Sequence, residues 1–224
     1  MTGRTYAEQV SEFHARAGER IPEEQRPAYA VLRAEQERLD AEGVPAGAAK
    51  PGTPLPDGAL IDPAGAPTTL AAACGGRPAV LVLYRGAWCP YCNLALRTYQ
   101  RELLPELTSR GMELIAVSPQ RPDGSLTTQE VNELSFTVLS DPGNQIGRAL
   151  GVMNTWSQQA RQAVTAVVTE VSAANGDGTD DVPMPTVVLV DARGVIRWLD
   201  VHPDYSRRTE PADIIEALKV LDRG

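Results

Sequence analysis

Short unbroken apolar runs alternate along this chain with longer stretches whose apolar residues recur every three or four positions. Ala79-Val-Leu-Val-Leu-Tyr84 is a run of the first kind, the pattern of a strand covered on both faces. After it, Leu96, Tyr99, Leu103 and Leu107 fall on one side of a predicted helix, which Pro105 should kink or end. Strands are predicted at 113–118 and 137–139, with a helix between them at 127–134 opened by the capping box Thr127-x-x-Glu130. A turn at Asp141-Pro-Gly precedes a short helix at 144–151. A longer one at 156–174 carries the stripe Ala160, Val164, Val167, Val171. The runs 186–190 and 195–201, joined by the turn 191–194, read as an antiparallel pair. A final helix framed by Thr209 and Pro211 buries Ile214, Ile215, Leu218 and Leu221.

Ahead of this core the pattern changes. Residues 4–42 read as helical, with Tyr6, Val10 and Phe13 on one face and, after Pro22, Ala28, Leu32 and Leu39 on another. Residues 43–56 are rich in proline and glycine without periodicity, a linker or wrapping loop, and 59–70 predicts a hairpin. The fold class expected is α/β, a mixed central sheet flanked by helices, over 50–224, preceded by an N-terminal helical extension over 1–45. The extension's amphipathic faces must bury against something; packing on the domain, covering its edge and joining two chains are all open, so a homodimer is among the assemblies allowed.

Composition narrows the class. A chain of 224 residues can bury a core without disulfide staples, and its three cysteines are too few for a disulfide scaffold. No apolar run approaches the roughly 18 residues of a spanning helix, and the first residues lack the basic-then-apolar layout of a secretory signal, so a cytoplasmic protein with no membrane partner is expected. The net charge of −8, without a long basic run, argues against a nucleic-acid partner.

The chemistry is concentrated in Arg85-Gly-Ala-Trp-Cys-Pro-Tyr-Cys92, which places Cys89 and Cys92 one helical turn apart just after the buried strand. At a helix N-terminus, unpaired N–H groups and the helix dipole favour a thiolate, the reactive form of sulfur. A redox-active dithiol is therefore the leading reading. Zinc would need about four ligands, and the remaining pool of Cys74, His14 and His202 has no ligand spacing, so neither metal nor cofactor is expected. Arg85 and Arg208 are candidate cations for a thiolate or a peroxide oxygen, Trp88 a candidate shield for the sulfurs, and Cys74 a small buried residue of a short helix. The acidic loop 175–181 lacks the glycine and glutamate of a calcium loop. His202 reads as part of a turn.

Several segments, in order, resemble the peroxiredoxin superfamily of thioredoxin-fold proteins, in its alkyl hydroperoxide reductase and thiol-specific antioxidant branch. They are Tyr84-Arg-Gly-Ala-Trp-Cys-Pro-Tyr-Cys-Asn-Leu94, Ala116-Val-Ser-Pro-Gln120, Leu139-Ser-Asp-Pro142, Pro183-Met-Pro-Thr-Val-Val-Leu-Val-Asp191 and the tail from His202 to Pro211. The resemblance implies a thioredoxin fold and reduction of hydrogen peroxide or organic hydroperoxides, with a thioredoxin-like or low-molecular-weight thiol as reductant. Laying the family's P-x-x-x-T-x-x-C on the second sulfur puts Cys92 at the peroxidatic position, Cys89 at the threonine and Arg85 at the proline. Pro185 stands where the family's peroxide-polarising arginine is usual, and Met184-Pro185-Thr186 resembles the cis-proline loop of thioredoxins, whose exposed backbone pairs with a substrate chain. Pro90-Tyr91 is similar to the glutaredoxin pair. A protein disulfide reductase or redox regulator, with an exposed Cys89 attacking first, and a non-catalytic thioredoxin-fold binding module are the other readings. Which sulfur meets peroxide first stays open, since exposure favours Cys89 and the alignment favours Cys92.

Overall fold

A computed structural model describes residues 4–18 and 21–221. Helix α1 (Tyr6–Gly18) and helix α2 (Arg26–Glu42) precede a hairpin of β1 (Ala59–Ile61) and β2 (Pro67–Thr69), which leads through α3 (Leu70–Cys74) into β3 (Ala79–Leu83). Helix α4 (Pro90–Thr98) follows, continued by a π-helical segment (Tyr99–Leu103) and α5 (Leu104–Ser109). Then come β4 (Glu113–Ser118), α6 (Pro122–Val131), β5 (Thr137–Ser140), α7 (Gln145–Ala149), β6 (Met153–Asn154), α8 (Gln158–Val167) and α9 (Val171–Ala174). The chain closes with β7 (Val182–Pro183), β8 (Thr186–Val190), β9 (Ile196–Val201) and α10 (Pro211–Leu218).

The predicted mixed sheet is present, a seven-stranded array in the order β2-β1-β5-β4-β3-β8-β9. Strands β3, β4 and β5 are parallel, while β8 runs antiparallel to both β3 and β9. The two-residue alternation of strands divides its core cleanly. Val80, Val82 and Tyr84 join Leu114, Ala116, Val187 and Leu189 beneath α4, α5 and α10, whereas Ala79, Leu81 and Leu83 join Ile115, Val117, Val188 and Val190 beneath α3 and α7. Each such Val, Leu or Ile side chain contributes about 1.5–3 kcal/mol by leaving water, and β3 and β8 are buried at every position.

Local boundaries differ from the pattern reading where backbone chemistry intervenes. At Pro105 the α-helical pattern is interrupted: the π-helical turn just before it resets the hydrogen-bond register and lets α5 start anew with the proline in its first turn. The expected helix over 156–174 is two helices, broken where the β-branched run Val167-Val168-Thr169 gives poor helical propensity. Helix α6 starts at Pro122 rather than 127, using proline's preset φ in the first turn. The small pair β6–β7 has no signal of its own in the pattern.

The N-terminal helices lie on the domain. Helix α1 packs on α4 and α2 on α8. Leu39 of α2 belongs to a third cluster with Trp156, Ala160, Val164, Val171 and Val182. The start of α1 is fully capped: Thr5 and Glu8 form a reciprocal capping box, and the carboxylate of Glu210, 204 residues away, accepts from the N–H groups of Tyr6 (2.9 Å) and Ala7 (2.8 Å). The Tyr6 hydroxyl donates to the Ser206 carbonyl at 2.6 Å, with its ring 2% exposed.

Candidate active site

The site forms where β3 and β4 end, outside the carboxyl edge of the sheet, where open α/β folds leave a crevice. The chain leaves β3 through Tyr84 and Arg85 and turns at Gly86, whose φ of +145° and approach to Trp88 exclude a side chain: a Cβ there would lie 2.5 Å from Trp88 Nε1. Gln120, from the end of β4, ties the turn down by accepting from Ala87 N–H at 2.6 Å while its amide donates to Tyr84 Oη at 3.0 Å. Asn93 Nδ2 donates to the Ala87 carbonyl at 2.8 Å from the other side. Cys89 then caps α4, Pro90 opens it, and Cys92 lies in its first turn.

The sulfurs of Cys89 and Cys92 are 3.3 Å apart and unbridged. Both are buried, at 1% and 0% exposure, which corrects the expectation of an exposed Cys89: Trp88, Tyr91 and the N-terminal helices cover it. Their surroundings nevertheless differ. Arg208, itself buried, donates from Nη2 to Cys92 Sγ at 2.9 Å, and the Arg85 backbone N–H donates to the same sulfur at 3.4 Å. Burial alone would raise the Cys92 thiol, but the hydrogen bond from Cys89, the Arg208 charge and the Arg85 N–H and charge outweigh it and hold the pKa well below the ordinary thiol range. Cys89 moves the opposite way. Burial, donation of its proton to Cys92 and the charge it faces there push it well up, against the weaker pull of Arg85 and Arg208. The surroundings therefore favour the negative charge on Cys92, beside Arg208, and the proton on Cys89.

Arg85 occupies an aromatic box, its guanidinium carbon 4.9 Å from the ring centres of Trp88, Trp156 and Tyr205. These faces stabilise a buried cation in place of a carboxylate. Its Nη1 points to Cys89 Sγ at 4.0 Å, and its Nε has no hydrogen-bond partner among the described residues. Arg85, Trp88, Cys89, Pro90 and Tyr91 line a cavity of about 860 Å³ enclosed by α1, α2, α8 and the 204–206 segment. Cys92 lies behind Cys89, outside its wall.

Met184, Pro185 and Thr186 are buried but are not among the residues lining this cavity. The thioredoxin-like reading of this loop is corrected on two counts. The Met184–Pro185 peptide is trans, and the backbone is already used: Met184 N–H donates to Val152, the Pro185 carbonyl accepts from His202 N–H, and Thr186 is paired between β3 and β9. No edge remains for a substrate strand. The other residues raised from the sequence have structural partners. His14 shares a hydrogen bond with Tyr91 Oη, His202 pairs with Asp200 at 3.1 Å, and Cys74 is packed in the opposite core cluster, where burial followed by the charges of Asp57 and Glu113 raises its pKa. No group of three or more metal-ligating side chains occurs among the described residues. No helix among them is long and apolar enough to cross a membrane.

Sequence reasoning missed Tyr6, Trp156, Tyr205 and Gln120 as parts of the site. The first three come from helices and turns far apart in the chain, and no spacing links them to the cysteines. Gln120 stood inside one of the quoted segments, and its place directly after an apolar strand was the available signal.

A family model described as "AhpC/TSA family" matches residues 51–199, about two thirds of the chain. Two Mycobacterium tuberculosis proteins named as candidate peroxiredoxins, from strains CDC 1551 / Oshkosh and ATCC 25618 / H37Rv, are each 27% identical over 103 residues, which is 46% of this chain. The match spans 64% of those proteins' own length. Among solved structures, peroxidoxin BcpB from Mycobacterium tuberculosis superposes with a TM-score of 0.58 at 18% identity, covering 78% of this chain and 97% of that one. A thiol peroxidase from Chromobacterium violaceum gives 0.55 at 16% identity, covering 81% and 92%. At these identities the likeness establishes a shared fold.

Proposed function

Because the chain belongs to the AhpC/TSA family, we propose that it is a thiol-dependent peroxidase in which Cys92 attacks a hydroperoxide and Cys89 resolves the product. The observation that carries the assignment is the charge-assisted contact from Arg208 to Cys92 at 2.9 Å, with Cys89 3.3 Å away on the other side. Arg208 takes the part that Pro185 cannot: it reaches the attacking sulfur from the segment after β9 instead of from the loop before β8. The Cys92 thiolate attacks the terminal peroxide oxygen; an S–O bond forms, the O–O bond breaks, and alcohol or water leaves with a proton. The Cys89 thiol then attacks the sulfenic sulfur, forming the S–S bond and releasing water. Closing 3.3 Å to the roughly 2.05 Å of a disulfide needs side-chain rotation within one helical turn. Two thiol equivalents from a thioredoxin-like or small-molecule reductant restore the dithiol. In this reading residues 50–224 are the catalytic domain and residues 1–45 are its covering extension.

The test is peroxide consumption with a dithiol recycling reagent. Native protein turns over, and Cys92→Ser falls to the level of the Cys89→Ser, Cys92→Ser double variant. Cys89→Ser consumes a single equivalent and leaves a sulfenic acid, read by mass spectrometry as one added oxygen on Cys92. An added oxygen on Cys89 in the Cys92→Ser protein, with retained turnover, would reverse the assignment.

A further inference from the structure

The two sulfurs face different spaces, and this bears on how the oxidised protein is reduced. Cys89 opens on the 860 Å³ cavity, while Cys92 is enclosed behind it by Arg208, the Arg85 N–H and the core. Resting on the peroxidase reading above, we infer that the Cys89–Cys92 disulfide is reduced by a low-molecular-weight thiol carrying carboxylate groups, which enters the cavity and attacks Cys89.

Thiol–disulfide exchange requires access to one sulfur and a stabilised leaving thiolate on the other. Cys89, 1% exposed, is the sulfur set in the cavity wall, so an entering thiol meets it before Cys92. Cys92 is the better leaving group, since the donors that hold its thiolate at rest receive it again when the bridge opens. The reductant's thiolate forms a bond to Cys89 Sγ, the S–S bond breaks, and the electron pair goes to Cys92. A second thiol then attacks the mixed disulfide, releasing the small-molecule disulfide and returning Cys89, which takes up a proton. Two thiols are oxidised and one protein disulfide is reduced.

The cavity selects the size and charge of that thiol. A peroxide is comparable to a water molecule or two, at about 30 Å³ each, whereas pockets for molecules of a few hundred daltons run roughly 300–1,000 Å³. A protein reductant presents its sulfur on a broad surface, and here that approach is covered by α1, which is held by Tyr6 and Glu210 and by His14 and Phe13 against Tyr91. Of the charged groups facing the space, Glu35 is paired with Arg38 and Arg16 with Glu12. That leaves the exposed Arg33 and the boxed Arg85 beside Cys89 as cations, against the single carboxylate of Asp204, which accepts from Ser206 and keeps its charge. An anionic ligand with apolar length matches these walls.

The experiment uses the full chain in a Cys74→Ser background, with the disulfide preformed by a diazene oxidant so that no peroxide is involved. Glutathione, as the probe, should reduce it with saturating kinetics, about tenfold or more faster than it reduces an unstructured peptide carrying a Cys-x-x-Cys disulfide. The Cys92→Ser protein given glutathione disulfide should accumulate an adduct on Cys89, and the Cys89→Ser protein should not modify Cys92. Arg33→Glu should raise the glutathione concentration needed for half-maximal rate severalfold, and cysteamine, a thiol without a carboxylate, should show no such change. Reduction by thioredoxin with glutathione no faster than on the peptide would overturn the inference, as would an adduct on Cys92. Failure of peroxide to generate the disulfide would count against the peroxidase reading alone.

Discussion

The region behind Cys92 and the region in front of Cys89 are built to opposite standards. Behind Cys92 the space is filled: Tyr84, Leu96, Tyr99, Val187 and Leu189 are each 2% exposed or less, and Arg208 is locked by the carbonyls of Tyr205 and Arg207. In front of Cys89 the rings of Trp88, Trp156 and Tyr205 and the two N-terminal helices leave room for a molecule. A fixed donor at 2.9 Å acts strongly on a sulfur only where water is excluded and the donor cannot move, whereas a molecule larger than a peroxide can arrive only where packing is incomplete, and a peroxide must pass Cys89 to reach Cys92. The dithiol sits on the boundary, so one helical turn gives a sulfur paired with a cation and a sulfur set in the cavity wall.

The most forceful way to break this contrast is to remove the cation behind Cys92. Arg208→Met keeps much of the stem's packing and deletes a charged hydrogen bond, a contribution of about 1.5–3 kcal/mol, so the Cys92 pKa should rise and peroxide turnover near neutral pH should fall about 10- to 100-fold. Thiolate ultraviolet absorbance against pH reads the shift, and Arg208→Lys should recover part of it. The sign for stability follows from the depressed pKa. The Cys92 thiolate stabilises the fold fully above the unfolded thiol pKa, and that contribution is lost as pH falls through the folded value. Urea midpoints of the native protein should therefore decline over that window, and those of Arg208→Met should decline less. An unchanged titration would mean that Arg208 does not set the charge.

Much of this arrangement was legible in the sequence, for a physical reason that also marks the limit. Strand β3, the hairpin, the β8–β9 pair and the position of Cys89 and Cys92 at the start of α4 follow from local periodicity and capping, which short windows contain. Arg208 was a candidate only by charge, because its contact with Cys92 spans 116 residues and depends on how the segment after β9 returns over the sheet. The same holds for the cover. Periodicity required α1 and α2 to bury a face but could not say which surface they meet, and their placement is what makes Cys89 buried instead of exposed. Pro185 misled in the other direction: a proline before a strand fits a cis-proline loop, yet pairing with Val152 and His202 consumes that backbone.

A gentler disturbance acts on the seam between the two regions. Gly86→Ala would force a Cβ to within 2.5 Å of Trp88 Nε1 at a φ of +145°, so the indole must move out of the Arg85 box and partly into the cavity. Overpacking with backbone strain costs about 1–3 kcal/mol, visible as a lower urea midpoint and altered tryptophan fluorescence. The division of labour between the sulfurs predicts that this variant keeps its Cys92 thiolate absorbance at neutral pH while disulfide reduction slows. Loss of both would show that the two environments are a single coupled unit.

The smallest change tests whether the cover is needed for the contrast at all. Glu210 supplies acceptors for the two N–H groups at the start of α1 that the Thr5–Glu8 capping box does not reach. In Glu210→Gln only one amide oxygen remains, the amino group faces the second N–H, and the charge that complements the helix dipole is gone, a loss of about 1 kcal/mol. Hydrogen exchange at Tyr6 and Ala7 should speed up about fivefold, with little effect on the amides of β3. Because Tyr6 still donates to Ser206, α1 should open transiently and not detach, and a small thiol should gain little. Thioredoxin, excluded by the closed cover, should begin to reduce the disulfide at a rate that tracks this opening. An exchange rate that rises while thioredoxin reduction stays unchanged would place the barrier to proteins at α2 and α8 instead.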